Sequence, residues 1–361
     1  MPSFNIIRKT PVPDSFRAAR VCGMFDIPSD QERVFKISGN IDLEFDWGIG
    51  LIYGSSGSGK STIAKELFDQ QIINGYQWQK PSVIDDFSGN LSVDQIIESL
   101  TSVGLSSPPA WLLPYSTLSN GQQFRATLAR AIAENDFVVF DEFTSVVDRI
   151  VAKATSVSVN KYIKRTGKKF VAVSCHSDIR EWLQPDWTYD TDTGNFARDC
   201  LCRPQIEIKI IKGEVSAWSV FHQHHYMSSG ISPTAKVYLA YALIDNAYHL
   251  AGMFSTMPAM GMKGWVRGHR TVILPDFQGL GIGNKMIEAV AQHLYDCYKT
   301  RFRATTSAPG IVKYRLKRPD KWRLVNGVES KMPSGNKNIK VKTSAGRLIT
   351  SWVYIPEQLR K

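Results

Sequence analysis

Gly54-Ser55-Ser56-Gly57-Ser58-Gly59-Lys60-Ser61 has the residue types and spacing of a phosphate-binding loop. Glycines at 54, 57 and 59 let successive N–H groups, that of Ser55 included, turn inward around phosphate oxygens at a helix N-terminus. Lys60 would meet the β- and γ-phosphates and the Ser61 hydroxyl would bind Mg²⁺, with Thr62 opening the helix behind them. The apolar run 49–53 reads as a buried strand and 62–68 as a helix, the context such a loop requires. Downstream, the apolar strand Phe137-Val138-Val139-Phe140 ends in Asp141-Glu142. Carboxylates at that edge of an α/β sheet face a ligand. Asp141 is therefore the second candidate Mg²⁺ ligand, and Glu142 the candidate that polarises an attacking water.

Three further segments complete a series. Leu118-Ser119-Asn120-Gly121-Gln122-Gln123 precedes a helical run, 124–134; Thr144-Ser145-Val146-Val147-Asp148 follows the acids; His176 follows the strand 170–174. Together the five segments, over about residues 15–200, resemble the ATP-binding cassette (ABC) family: Walker A, signature, Walker B, D-loop and switch histidine. The resemblance implies ATP and Mg²⁺ as ligands and hydrolysis with His176 against the γ-phosphate. It also implies a homodimer, in which Ser119, Gly121 and Gln122 of one protomer close the nucleotide site of the other. One departure concerns the glutamine that this family carries between Walker A and the signature. Here the strand-like Ser82-Val83-Ile84 ends in Asp85-Asp86, which puts coupling to membrane subunits in doubt. Phe25 is a candidate to stack on adenine, or else a core residue.

A second glycine-spaced turn, Gln278-Gly279-Leu280-Gly281-Ile282-Gly283, follows an apolar strand and Pro275 and runs into a helix over 281–299. It is again anion-binding geometry, and no partner acid follows at the distance of a dinucleotide fold. The pattern looks like the pyrophosphate loop of the GNAT acyltransferases, over about residues 206–325. That resemblance implies that Gln278, Gly279, Gly281 and Gly283 bind an acyl-coenzyme A, acetyl-CoA in the first instance. Tyr314 falls where many members keep the acid for the leaving thiolate; its other reading is core packing. His222, His224, His225 and Tyr226 crowd onto one expected helix, 215–227. His222 and His225 have metal-ligand spacing without an adjacent carboxylate. His225-Tyr226 looks similar to the His-Tyr pair of phage Mom-type DNA modification proteins, which places them at a substrate; structural use is the alternative.

Charge divides the chain. Residues 1–205 carry 21 basic and 24 acidic side chains, net −3, and residues 206–361 carry 23 and 9, net +14; the two sum to the overall +11. From Lys299 onward there are 16 basic and 3 acidic residues, interleaved with Phe302, Tyr314, Trp322, Trp352 and Tyr354. Basic residues among aromatics suit a phosphate backbone and unstacked bases. A solvated basic face, or a pocket for coenzyme A, would use the same charge. No apolar run reaches the 18 or so residues of a membrane span, the N-terminus lacks a signal-peptide layout, and Cys200-x-Cys202 has no second ligand pair. The expected location is cytoplasmic, with no membrane partner.

The expected architecture is α/β: an N-terminal ABC-type P-loop ATPase domain, residues 1–203, followed by a C-terminal α+β GNAT-like domain with a basic end, residues 204–361. The expected function is an ATPase coupled to an N-acyltransferase that modifies an amine on nucleic acid, DNA first, with ATP-driven dimerisation as a clamp. Two rivals stand beside it: the ATPase subunit of a transporter with a regulatory C-terminal domain, and a non-catalytic nucleic-acid-binding ATPase.

Overall fold

Short apolar runs become strands buried on both faces where a parallel sheet needs them. The computed structural model describes residues 3–10, 15–27, 33–73, 75–198, 205–225, 230–329 and 348–360; Cys200, Cys202 and Tyr226 lie outside them. In chain order the strands are β1 (Ser3–Thr10), β2 (Arg33–Asn40), β3 (Ile49–Tyr53), β4 (Phe137–Phe140), β5 (Lys169–Ser174), β6 (Trp187–Asp190), β7 (Asn195–Ala197), β8 (Ile208–Gly213), β9 (Lys236–Ile244), β10 (Ala247–Pro258), β11 (Trp265–Ile273), β12 (Arg301–Thr306), β13 (Trp322–Glu329) and β14 (Leu348–Tyr354). The helices are α1 (Phe16–Met24), α2 (Lys60–Phe68), α3 (Val93–Ser102), α4 (Pro108–Trp111), α5 (Asn120–Glu134), α6 (Arg149–Thr166), α7 (Arg180–Leu183), α8 (Trp218–Phe221), α9 (Ile282–Tyr298) and α10 (Pro309–Leu316). Two compact units result. One comprises Met1–Gln77, Glu134–Val147 and Val159–Arg203; the other comprises Trp78–Ala133, Asp148–Ser158 and Pro204–Lys361. Two segments that precede residue 203 in sequence thus group with the C-terminal part.

In the first unit a five-stranded sheet runs β4-β5-β3-β6-β7, parallel except for the edge strand β7. Ile49, Leu51 and Ile52 of β3 are fully buried, and Trp47, Phe68 and Trp187 pack at 5.6–6.4 Å beside them. Because β3 lies between β5 and β6, the loop after it opens at the C-terminal edge of the sheet, where β4 also ends. The hairpin β1–β2 forms a separate antiparallel ribbon.

In the second unit α3, α4 and α5 form the helical segment, and a seven-stranded sheet runs β13-β14-β12-β11-β10-β9-β8. Its one parallel pair is β11–β12, bonded only from Trp265–Arg301 to Arg267–Arg303. Beyond that point β11 continues with β10 and β12 with β14, so the sheet splays there. Helix α9 covers the sheet with Ile282, Met286, Ile287, Val290, Ala291 and Leu294, the period of an amphipathic helix. Among the described residues no helix is long and apolar enough to cross a membrane.

Three expectations change. The expected strand over 82–84 is a 3₁₀ turn, Val83–Asp86, closed by a Ser82–Asp85 side-chain bond and by Asp86 accepting the N–H groups of Gln79 and Lys80. The expected helix over 215–227 breaks into three short turns, 215–217, 218–221 and 222–224. Ser219 donates to the Ser216 carbonyl and His222 bonds the Ser219 carbonyl at 2.7 Å, local bonds that compete with a continuous helix. The aromatics expected to face bases are core: Phe302, Trp322, Trp352 and Tyr354 are each under 5% exposed, and Trp322 meets Phe302 and Tyr354 edge to face. Arg315 is buried too, its guanidinium 4.1 Å from the Trp322 ring and its pKa lowered to about 10 by burial.

Under that layer lies Glu288 of α9, buried yet fully bonded. Tyr314 and Trp322 donate to one oxygen at 2.9 and 3.0 Å, and Lys321 to the other at 2.9 Å. Burial raises the carboxyl pKa, but these bonds and the Lys321 charge outweigh it and hold it low. A depressed carboxyl stabilises above its unfolded pKa and loses that stability as pH falls through the folded value. Glu288→Gln should therefore cost about 3 kcal/mol at pH 7 by setting an amide N–H against the Lys321 ammonium, with a smaller difference from wild type in acid. Urea midpoints at both pH values are the check. Equal loss at both would remove the ionic explanation.

Candidate functional site

The glycine-rich loop after β3, residues 54–61, takes its shape from close packing. Gly59, at φ +94°, begins α2, and a Cβ there would lie 2.0 Å from Ile37 Cδ1 of the β2 ribbon. Lys60 Nζ donates to the Gly54 and Ser55 carbonyls at 3.0 and 2.5 Å, which bends the loop around its own cation. Around it opens a cleft of about 530 Å³ lined by Gly57, Gly59, Lys60, Ser61 and Thr62, with Asp141 and Glu142 from the end of β4. Asp141 accepts the Glu142 N–H at 2.9 Å, and Glu142 stands exposed at φ +54°. A non-glycine residue in that region stores strain, which concentrates at sites of function. Ser174 and Cys175 also line the cleft, and half-buried His176 follows them.

Two parts of this site were missed in the sequence. Phe35 on β2 lines the cleft, whereas Phe25 sits 69% exposed at the end of α1. The turn after β6 grips the loop: Asp192 accepts the Ser55 N–H at 2.7 Å and its hydroxyl at 2.6 Å, and Thr191 Oγ1 lies 2.5 Å from Ser58 Oγ. The Ser55 bonds, with Lys60 nearby, hold the Asp192 carboxyl below its ordinary range. The alternation of Val34-Phe35-Lys36-Ile37 could have marked Phe35 as facing something; nothing local marks Asp192.

In the second unit the segment 118–123 leads into the start of α5. Ser119 N–H donates to Gln122 Oε1 at 3.1 Å and Gln122 N–H to Ser119 Oγ at 3.4 Å, a capping-box arrangement. Ser119 is exposed and Gly121 half-buried.

The second glycine turn lies between β11 and α9, at the splayed end of the sheet. Gly281, at φ +82°, caps α9 and faces open space, and no side chain caps the first N–H groups of that 17-residue helix. Gly279, at φ +87°, is different: a Cβ there would meet Ser158 Oγ at 1.9 Å. Gln278 is occupied, accepting the Ser106 N–H at 3.0 Å and donating to the Ile273 carbonyl at 3.1 Å. Gly279→Ala should then cost about 2–4 kcal/mol from clash and backbone strain, against about 1 kcal/mol for Gly281→Ala. Thermal melts of the two variants test this ranking.

Nearby, His224 and Asp276 interact electrostatically, as do His225, His269 and Arg270. Burial first, then Arg270 and His269, push the His225 pKa down to about 4, so its ring is neutral at pH 7. His269 accepts the Ser232 N–H through Nε2, which leaves the ring proton on Nδ1. No group of three His, Cys, Asp or Glu able to hold a metal occurs among the described residues, so the His222–His225 metal idea gains no third ligand. Tyr314 lies with Glu288, and burial together with that carboxylate pushes its pKa up to about 12.

No protein-family profile and no curated protein matches the sequence. Solved structures do. The ATP-binding cassette MJ0796, in a dimeric post-hydrolysis state with ADP and phosphate, is 16% identical, covering 54% of this chain and 98% of its own, at a TM-score of 0.37. An IAA acetyltransferase from Bacillus cereus is 10% identical, covering 41% of this chain and 98% of its own, at 0.30. The spermidine/spermine N-acetyltransferase SpeG from Vibrio cholerae is 9% identical, covering 42% and 96%, at 0.32.

Proposed function

We propose that the chain is an ABC-type ATPase joined to a GNAT-type N-acyltransferase, with an amine on nucleic acid as acceptor. The observation that carries the ATPase half is the single cleft uniting Gly57–Thr62 with Asp141 and Glu142. Hard oxygen donors, the Ser61 hydroxyl and the Asp141 carboxylate, suit Mg²⁺. When bound, Mg²⁺ supplies charge neutralisation between the β- and γ-phosphates. Lys60 and the loop N–H groups hold the phosphates, Glu142 polarises the attacking water, and His176, next in sequence to Cys175 of the cleft, would turn to the γ-phosphate. Phe35 is the better-placed group for adenine. Ser119, Gly121 and Gln122 would meet the nucleotide of a second copy, making ATP a homodimer clamp.

For the acyltransferase half, the β11–β12 ladder stops at Arg267–Arg303, and an acyl-CoA arm could enter beyond it, with Gly281, Gly283 and the start of α9 for the pyrophosphate. Gln278 and Gly279 support that loop from behind. In the transfer, the acceptor nitrogen bonds the acyl carbon, the carbon–sulfur bond breaks, the amine proton leaves to a water relay, and the thiolate takes a proton. His225, neutral and beside Arg270 and His269, would orient the acceptor. Tyr314 serves as the acid only if its hydroxyl leaves Glu288. That bond favours the second reading, a nucleic-acid-binding ATPase whose acyltransferase fold does no chemistry.

Mass spectrometry of nucleosides from DNA of cells expressing the chain, beside Glu142→Gln, tests the proposal. An acylated nucleoside with wild type and its loss in the variant is the expected result. Unmodified DNA alongside measurable acetyl-CoA binding would move the acceptor to another amine. Absence of acetyl-CoA binding would leave the second reading.

A further inference from the structure

Arg125 has no role in the chemistry above, yet it is a buried cation, 3% exposed, on the signature helix α5. Its Nε donates to the Gly121 carbonyl at 3.1 Å, within the signature itself. Its Nη1 donates to the Pro275 carbonyl at 2.9 Å, three residues before the acyl-CoA loop. Its charge acts on two carboxylates, Asp276 of that same turn and Asp148 of the D-loop. Asp148 accepts the Ile150 and Val151 N–H groups and so starts α6. One guanidinium therefore bonds both the signature and the entry to the acyl-CoA loop, with the D-loop carboxylate within reach of its charge.

The loop has further fastenings on the same two helical segments. Ser106, beyond α3, donates its N–H to Gln278, and Ser158 of α6 fills the space that a side chain at Gly279 would need. Lys153 of α6, 6% exposed in its side chain, pairs with Asp245 of the β9–β10 turn at 2.5 Å. Packed contacts of this kind pass a displacement on, which is how a shift of α5 or α6 would reach residues 275–279.

We propose that Arg125 is a positioning residue that couples nucleotide binding to the acyl-CoA loop: displacement of the signature and D-loop by ATP moves Pro275 through its guanidinium. This rests on the ATPase and acyltransferase readings given above. Coupling of this kind is reciprocal, since each ligand changes the affinity of the other by one common factor.

The test uses the full chain, wild type and Arg125→Met. Hydrogen exchange of residues 279–283, with and without Mg²⁺ and a non-hydrolysable ATP analogue, reads the loop directly. Calorimetry reads the acetyl-CoA Kd under the same two conditions. Expected in wild type is a change of at least about fivefold in both readouts, with an equal shift in nucleotide affinity when acetyl-CoA is present. In Arg125→Met both ligands should still bind, with a coupling factor within about twofold of unity. If that variant fails to melt as a folded protein, Arg125→Lys replaces it. The lysine keeps the charge and cannot span both carbonyls, so the factor should fall as well. Nucleotide-independent exchange in wild type, or undiminished coupling in a folded variant, overturns the proposal. If acetyl-CoA does not bind wild type, the acyltransferase reading fails by itself, and the exchange data still decide the coupling.

Discussion

Glu142→Gln should slow ATP hydrolysis by about 10²–10⁴-fold while leaving the ATP Kd within a few-fold of wild type. The amide has the shape of the carboxylate, so the φ +54° backbone and the Asp141 contact at 2.9 Å should persist. On the proposed reading binding would be carried by other groups, Lys60 and the loop N–H groups, which the substitution does not touch. What is lost is the negative charge that polarises water. Because the phosphates then stay in place, the variant should accumulate as a dimer in saturating Mg-ATP. Phosphate release and sedimentation velocity read the two effects separately. Slow hydrolysis with a monomeric variant would keep the catalytic role and sink the clamp; unimpaired hydrolysis would remove Glu142 from the chemistry.

DNA affinity of the full chain should fall between 50 and 200 mM salt by about 500-fold for duplex and about 130-fold for single strands, the log–log slopes of about −4.5 and −3.5 that about five phosphate contacts give. The burial pattern decides which residues make them. Arg315 is buried, Lys313 pairs with Glu98 at 3.1 Å, and Lys321 is committed to Glu288. Lys317, Arg318 and Arg323 are exposed, so their joint replacement by Gln should flatten the slope by about 2–3. With Phe302, Trp322, Trp352 and Tyr354 inside the core, single strands should gain nothing from stacking on these residues. Filter binding across a salt series is the measurement. A slope near zero would assign the basic charge to coenzyme A or to solvent.

The phosphate loop, the carboxylates after β4 and the helix after the second glycine turn were legible because each is written in consecutive residues. A glycine-spaced turn between an apolar strand and an amphipathic helix has few alternatives. The contacts that set these loops in place were not legible. Arg125 meets Pro275 from 150 residues away and Asp192 meets Ser55 from 137, and neither arginine nor aspartate is marked by its neighbours. The aromatic residues after Lys299 show a different limit. Composition placed them beside basic residues, but strand alternation turned Trp322, Trp352 and Tyr354 inward. The helix expected over 215–227 failed for a local reason, the serine and histidine bonds to nearby carbonyls.

The grip of Asp192 on Ser55 means that the loop already holds an anion of its own. A carboxylate takes the N–H and hydroxyl that a phosphate oxygen would claim. If the loop binds a nucleotide as proposed, that nucleotide would compete with Asp192, and its apparent affinity would be the intrinsic one reduced by the fraction of loops that have let go. A single weakly charged anion would gain little from that exchange. A triphosphate, able to engage Lys60 and several N–H groups at once, would displace the internal competitor, and the turn after β6 would then be a threshold against small anions.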